Sequence, residues 1–430
     1  MLKDLQSFRQ ALTPERLRQL WYAPQLAIAM ALTMARLLII ARILSVEEFA
    51  TFSNGILVSG SFMMLGCLGL QSELQRKWPA LLIQGKEYHG LVLAAQANLI
   101  AIGCSIVGLA LVGAGVSIAN LTPQILIVGV LHGLSQQLFT IATIESRSRG
   151  RVIEFAGQNL TRAVAILALG IATAAITGSS LLSLAAEGSA SFLLSLVFFK
   201  KSTRHVALKP VAIYRLALFR LGKINWMSSL TMLAVSIVTF FQFSADRWLG
   251  SDRLEHASFA QYSFACILLT IAQAAQALIN TSLYPFIARR YGQFGQAAAF
   301  KICWVMSVAI LVLGIVTAWP VGYVLHYAIQ SWYPRYIEAA ALLPVFLLIA
   351  VLRLSDFWSS FLMIAHHERL LFVLNLSATI GSIAVFSAFV FLSPEHVMTL
   401  NNVAALAGLL AVSAYTAAAV ASWWIGRTSC

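Results

Sequence analysis

Leu342-Leu-Pro-Val-Phe-Leu-Leu-Ile-Ala-Val351 is an unbroken apolar run in which polar and apolar positions do not alternate. Val308-Ala-Ile-Leu-Val-Leu313, further upstream, reads the same way. A strand of a membrane β-barrel would be about ten residues long and would alternate with period 2. These runs belong instead to apolar stretches of about 20 residues, the length of helix that crosses a hydrocarbon layer roughly 30 Å thick. A helix also satisfies its own backbone hydrogen bonds, which lipid cannot do for it. Working outward from these runs, comparable stretches fall at 20–43, 49–70, 90–113, 121–144, 152–176, 180–199, 224–245, 258–284, 302–322, 339–364, 370–392 and 401–425. The expected fold class is therefore an all-α polytopic membrane protein with about 12 transmembrane helices.

Composition agrees. Of 430 residues, 60% are hydrophobic and 10% charged, against roughly 25% charged in soluble domains, and mean hydropathy is +0.82. The first apolar stretch begins near Trp21, is too long for the core of a cleaved signal peptide, and carries Arg36 and Arg42. The net charge of +13 raises the question of nucleic acid. The positions of the charges answer it. With the N-terminus inside, about 22 of the 29 Lys and Arg fall in cytoplasmic segments, and only Arg247, Arg253 and Arg335 in external loops. Arg36, Arg42, Arg162 and Arg353 lie within spans. This asymmetry is the positive-inside pattern, predicts both termini in the cytoplasm, and leaves no role for nucleic acid. Cys67, Cys104, Cys266 and Cys303 sit in spans and Cys430 is terminal, so they read as small apolar filler. No metal-ligand spacing occurs, the His366-His367 pair included, and nothing in the sequence calls for a cofactor.

External loops are short. The longest polar segment, 200–223, is strongly basic and separates an N-terminal lobe, 1–199, from a C-terminal lobe, 224–430, with six spans on each side. Its second half, Pro210-Val-Ala-Ile-Tyr-Arg-Leu-Ala-Leu-Phe-Arg-Leu221, mixes apolar and basic residues at helical spacing. An interfacial helix on anionic headgroups and a plain basic loop both explain it. The halves also echo each other. Phe49-Ala-Thr-Phe-Ser53 opens the second span and Phe259-Ala-Gln-Tyr-Ser263 the eighth. An offset of six spans, an even number, makes the halves parallel repeats, a common transporter plan.

The run Ala41-Arg-Ile-Leu-Ser-Val-Glu-Glu-Phe-Ala-Thr-Phe-Ser53, with Gly69-Leu70 to Arg76, resembles the first hairpin of bacterial oligosaccharide flippases. These belong to the multidrug/oligosaccharidyl-lipid/polysaccharide exporter (MOP) superfamily. Ala245-Asp-Arg-Trp-Leu-Gly250, Phe259-Ala-Gln-Tyr-Ser263 and Ser282-Leu-Tyr-Pro285 to Arg289-Arg290 are similar to its seventh and eighth helices. Trp332-Tyr-x-x-Tyr336-x-x-Ala339-Ala340 also fits, whereas Ala50 stands where the family commonly has Gly. The resemblance implies a two-lobed transporter of the inner membrane that moves undecaprenyl-pyrophosphate-linked oligosaccharide, an O-antigen or exopolysaccharide repeat unit, to the periplasmic leaflet. Its implied partners are the lipid-linked anionic oligosaccharide, membrane lipids and the glycan polymerase machinery.

Three arginines, Arg36, Arg162 and Arg353, lie near the middles of spans. Each costs roughly 2.5–3.5 kcal/mol at the bilayer centre, so all three must face protein or water. Arg36 has no acid within a helical turn, and Thr33 and Gln25 continue its polar face. Arg162 shares a stripe with Gln158 and Glu154, too far to pair fully unless Glu187 reaches it. Asp356, three residues after Arg353, is placed to neutralise it on one helix face. Asn225, Ser229, Ser236, Thr239 and Asp246 form a polar stripe on span 7, and Gln273, Gln276 and Asn280 one on span 8, while span 4 offers His132 and Gln136. Polar packing between helices is one reading of these residues. The other is a cationic cleft for a pyrophosphate, with Arg36 the principal contact, Arg162 second and Arg353 third, and with Gln273 and Asn280 meeting sugar hydroxyls. Glu187 and Asp356 are the candidates for coupling transport to an ion gradient. A drug or cation exporter of the same superfamily would want acid, not arginine, in its cavity. An integral-membrane glycan polymerase or ligase would want a substantial periplasmic loop. No P-loop or other soluble-type catalytic motif is present, and the chain reads as a transporter rather than an enzyme.

Overall fold

The computed structural model describes residues 21–204, 209–392 and 398–428, and no strand occurs among them. Among the described residues, eleven helices are long and apolar enough to cross a membrane, and the number reaches 12 when one bent pair is taken as a single span. The residues cluster into two compact units: Met1–Leu44, Val58–Ser117 and Thr122–Ala234 in the first, and Ser45–Leu57, Ile118–Leu121 and Val235–Cys430 in the second.

The first unit contains α1 (Tyr22–Ile43), the helices between Leu70 and Phe219, and parts of the helices at its edges. Helix α2 (Val46–Leu65) and α3 (Leu70–Ile83) form the bent pair, meeting at 51°. The sequence reading runs span 2 straight through to residue 70. The break has a local cause: Leu68 and Gly69 both take left-handed backbone angles, φ +50° and +80°. A side chain at Gly69 would also strike the backbone of Ser229, its Cβ only 2.0 Å from the carbonyl oxygen. Helices α4 (Glu87–Gly113), α5 (Pro123–Ser148), α6 (Val152–Thr177) and α7 (Ser180–Thr203) complete the bundle, with α5 on α7 and α1 on α6. Its apolar core gathers Leu70, Leu74, Trp78, Leu91, Ile141 and Phe199.

The basic segment does form a helix, α8 (Pro210–Phe219), so the plain-loop alternative falls away. Pro210 opens it at a position where a missing N–H costs nothing. Ile213 and Ala217 are buried on α4, and Tyr214 accepts a hydrogen bond from Asn98 Nδ2 at 2.9 Å. Burial raises the Tyr214 pKa, an effect the Asn98 hydrogen bond opposes. Val211, Leu218 and Phe219 remain exposed, the apolar face an interfacial helix would offer to lipid. At the end of α5, Arg149 reaches Glu87 of α4 (2.9 Å) and Glu145. Burial alone would lower its pKa, but the two carboxylates outweigh burial and raise it.

The second unit is built from the end of α9 (Trp226–Arg253), then α10 (His256–Trp332), a 3-10 stretch (Pro334–Leu342), α11 (Leu343–Leu354), α12 (Trp358–Ile364), α13 (Glu368–Leu392) and α14 (Leu400–Thr428). Helix α10 is two helices run together across a kink, and it holds two candidate spans, His256–Gln276 and Arg289–Trp332. It is interrupted at Gly295, whose backbone (φ +80°, ψ −173°) is not helical. Spans 8 and 9 of the sequence reading are thus joined through a kink with helix on both sides of it. The predicted tenth span, 339–364, is also not one helix. It begins as 3-10 and breaks between α11 and α12. Phe357, Trp358, Phe361 and Leu362 pack beneath that break against α10 and α14.

Candidate functional site

Within the first unit, the expected site residues converge. Arg36 on α1, 5% exposed, donates through Nη1 to Oε2 of Glu187 on α7, which is fully buried. The acid that sequence spacing could not supply lies 151 positions away. His132 on α5 places Nε2 3.6 Å from the same carboxylate oxygen, and its Nδ1 lies 2.7 Å from Ser59 Oγ. Gln136 Nε2 is 3.2 Å from His132 Nε2. Glu187 sits where it does because position 170 is glycine: a Cβ there would fall 2.4 Å from Glu187 Oε1. That oxygen and Arg36 Nε have no hydrogen-bond partner.

Arg162 on α6 is half-buried and donates from Nε to Ser191 Oγ at 3.2 Å, with its guanidinium 4.7 Å from the centre of the Phe139 ring. Glu154 does not serve it. That carboxylate is held by Lys201 at 2.7 Å and Arg151 at 3.6 Å, at the end of the helix. Gln158 also turns away, accepting from Ser146 Oγ at 2.7 Å. Arg42 is exposed at the end of α1. The interior of the first unit thus gathers two arginines, one glutamate and one histidine.

The second unit repeats the theme with other residues. Asp246 on α9 is buried and accepts from the Tyr262 hydroxyl. Next to it in sequence is Arg247, whose Nε has no hydrogen-bond partner. Sequence reading puts Arg247 in an external loop, but α9 continues to Arg253 and carries it inside the helix. The signal was present, since Asp246 already ends the polar stripe of span 7. Arg353, 8% exposed, lies with its guanidinium 4.6 Å from the centre of the Phe243 ring, and its Nε and Nη1 have no hydrogen-bond partner.

The expected Arg353–Asp356 pair does not form. Helix α11 ends at Leu354, so the two residues no longer share a helical face. Asp356 instead accepts from the Ser359 backbone N–H (3.1 Å) and hydroxyl (2.8 Å), capping α12. Arg353 and Asp356 do line one small cavity of about 40 Å³, together with Gln242, Gln276 and Tyr415. Gln273 is half-buried on α10, away from that lining. Asn280 lies on the same helix, but its side chain is outside the described residues. Among the described residues, no three His, Cys, Asp or Glu side chains could together hold a metal ion.

No protein-family model matches this sequence, and no curated protein sequence matches it either. Solved structures do match in fold. The eukaryotic MATE transporter AtDTX14 is 12% identical, with a TM-score of 0.55 over 93% of this chain and 95% of that one. The lipid II flippase MurJ in its inward closed conformation is 12% identical, with a TM-score of 0.57 over 94% of this chain and 87% of that one. A MOP superfamily transporter from Pyrococcus furiosus, described as having a binding pocket whose reverse polarity suggests a different function, is 16% identical, with a TM-score of 0.53 over 95% of each chain. At such low identity these likenesses speak for architecture. In its helices and their arrangement, the chain has the fold of the MOP superfamily transporters.

Proposed function

We propose that this protein is an inner-membrane transporter that flips an anionic, lipid-linked oligosaccharide from the cytoplasmic to the periplasmic leaflet. One observation carries the reading: among the described residues, buried arginine is not matched by acid contacts. Arg36 pairs with Glu187, but Arg162 is held only by Ser191 and the Phe139 ring, and buried Arg353 lies by the Phe243 ring with Nε and Nη1 unpartnered. Buried charge in lipid demands a counter-charge, and a pyrophosphate supplies one in the planar geometry that guanidinium prefers. The fold likeness to a lipid II flippase supports the same substrate class. Arg36 and Arg162 are the proposed anion contacts, Arg353 a third, Gln273 and Asn280 the sugar contacts, and Glu187 the ion-coupling group. The glycan polymerase machinery is the proposed partner in the membrane.

The likeness to MATE transporters favours a drug or cation exporter as the second reading, and the excess of buried arginine weighs against it. Deleting the gene and following the lipid-linked repeat unit separates the two. Flipping predicts that the repeat accumulates in the inner leaflet, with drug susceptibility unchanged. Normal export with altered drug susceptibility would reject the flippase.

A further inference from the structure

At one end of the second unit, α10 and α14 enclose a groove of about 550 Å³, within the roughly 300–1,000 Å³ typical of ligand sites. None of the residues assigned above to transport lines it. Trp304 and Trp423 do, and both stand half in the open, 44% and 45% exposed. The small side chains of Ala297 and Ala298 line it too. The helices meet closely here because residue 426 is glycine: a Cβ there would fall 2.5 Å from the Phe300 ring. Two cations, Lys301 and Arg427, complete the lining, and no Asp or Glu does. The Arg427 guanidinium lies 4.1 Å from the centre of the Trp423 ring. Stacking of that kind holds a guanidinium in place while its edge N–H groups stay free to donate.

Depth decides what such a groove meets. Lys301 directly precedes the apolar run 302–322, and Arg427 stands in the last turn of α14. Both cations therefore sit where a span reaches the headgroups, the depth at which tryptophan collects and basic side chains reach for phosphate. Aromatic and alanine walls suit an acyl chain, and a basic pocket between helices suits an acidic headgroup. We propose that this groove is a binding site for an anionic phospholipid, its phosphate between Lys301 and Arg427 and a chain along Trp304 and Trp423. The site is independent of the transported substrate.

Tryptophan fluorescence reads it directly. The full-length protein is reconstituted in phosphatidylcholine bilayers, and brominated phosphatidylglycerol or brominated phosphatidylcholine is titrated in as quencher. Quenching should reach half-maximum at a lower mole fraction of the anionic lipid, by roughly fivefold for each cation. Trp304→Phe with Trp423→Phe should remove the selective component. Lys301→Gln with Arg427→Gln should equalise the two lipids, while Lys301→Arg with Arg427→Lys keeps the preference. Equal quenching in the wild type would overturn the site, as would a preference that survives the Gln pair. Abolition of the preference by inorganic phosphate would show a free-anion site and overturn the lipid assignment.

Discussion

Glu187 is fully buried, with Arg36 of α1 and His132 of α5 against its carboxylate and Gly170 of α6 leaving room for it. A carboxylate so placed depends on its cation. Removing one partner of a buried pair typically costs about 3–5 kcal/mol, because the other is left charged and unpaired. Arg36→Ala should therefore lower the abundance of the protein as well as block export, and Glu187→Ala should do the same. Replacing both, Arg36→Met with Glu187→Leu, should restore abundance, since an apolar pair of similar volume packs without a desolvation penalty. Export should stay blocked, because the anion contact is gone. Quantitative immunoblotting beside a repeat-unit export assay checks this. Normal export by the abundant double variant would remove Arg36 from the substrate site. That Arg36 needs a partner was legible in the sequence, from the cost of arginine in lipid. Which acid answers it was not, because a contact spanning 151 positions leaves no mark on local spacing.

Two elements were misread, each where the backbone leaves the helix inside a long apolar stretch. Leu68 and Gly69 break the second span, and Ser355 to Phe357 break the tenth within a highly apolar context. Hydropathy reports lipid compatibility, not helix continuity, so both read as straight rods. The second break gives Asp356 a different role, that of capping α12. Asn caps a helix about as well as Asp, whereas Ala costs about 1 kcal/mol. Asp356→Ala should lower the melting temperature of the purified protein by about 1 °C, and Asp356→Asn should leave it unchanged. The Asn variant isolates the charge: undiminished transport would mark Asp356 as a cap alone, and lost transport in a stable protein would mark it as an ion carrier. At the same scale, the helix at 210–219 was only half legible, because apolar and basic residues at helical spacing admitted a basic loop as well.

Over the whole molecule, apolar run length recovers the number of spans to within the single bent pair. Charge position carries the orientation. With both termini inside, a cysteine placed at Lys209 in a background lacking the five native cysteines should resist an impermeant maleimide in intact cells and react after permeabilisation. Labelling in intact cells would reverse the topology. Charge position also sets an order of assembly. Arg36 lies in the first span, and Glu187 follows it by 151 residues. At synthesis rates of about 5–20 residues per second, the arginine is in or near the membrane for roughly 8–30 s before its partner exists. Throughout that interval its charge must be held in the headgroup region or by water. The first span therefore cannot settle at its final depth until α7 has entered, and the N-terminal helices mature together rather than one by one.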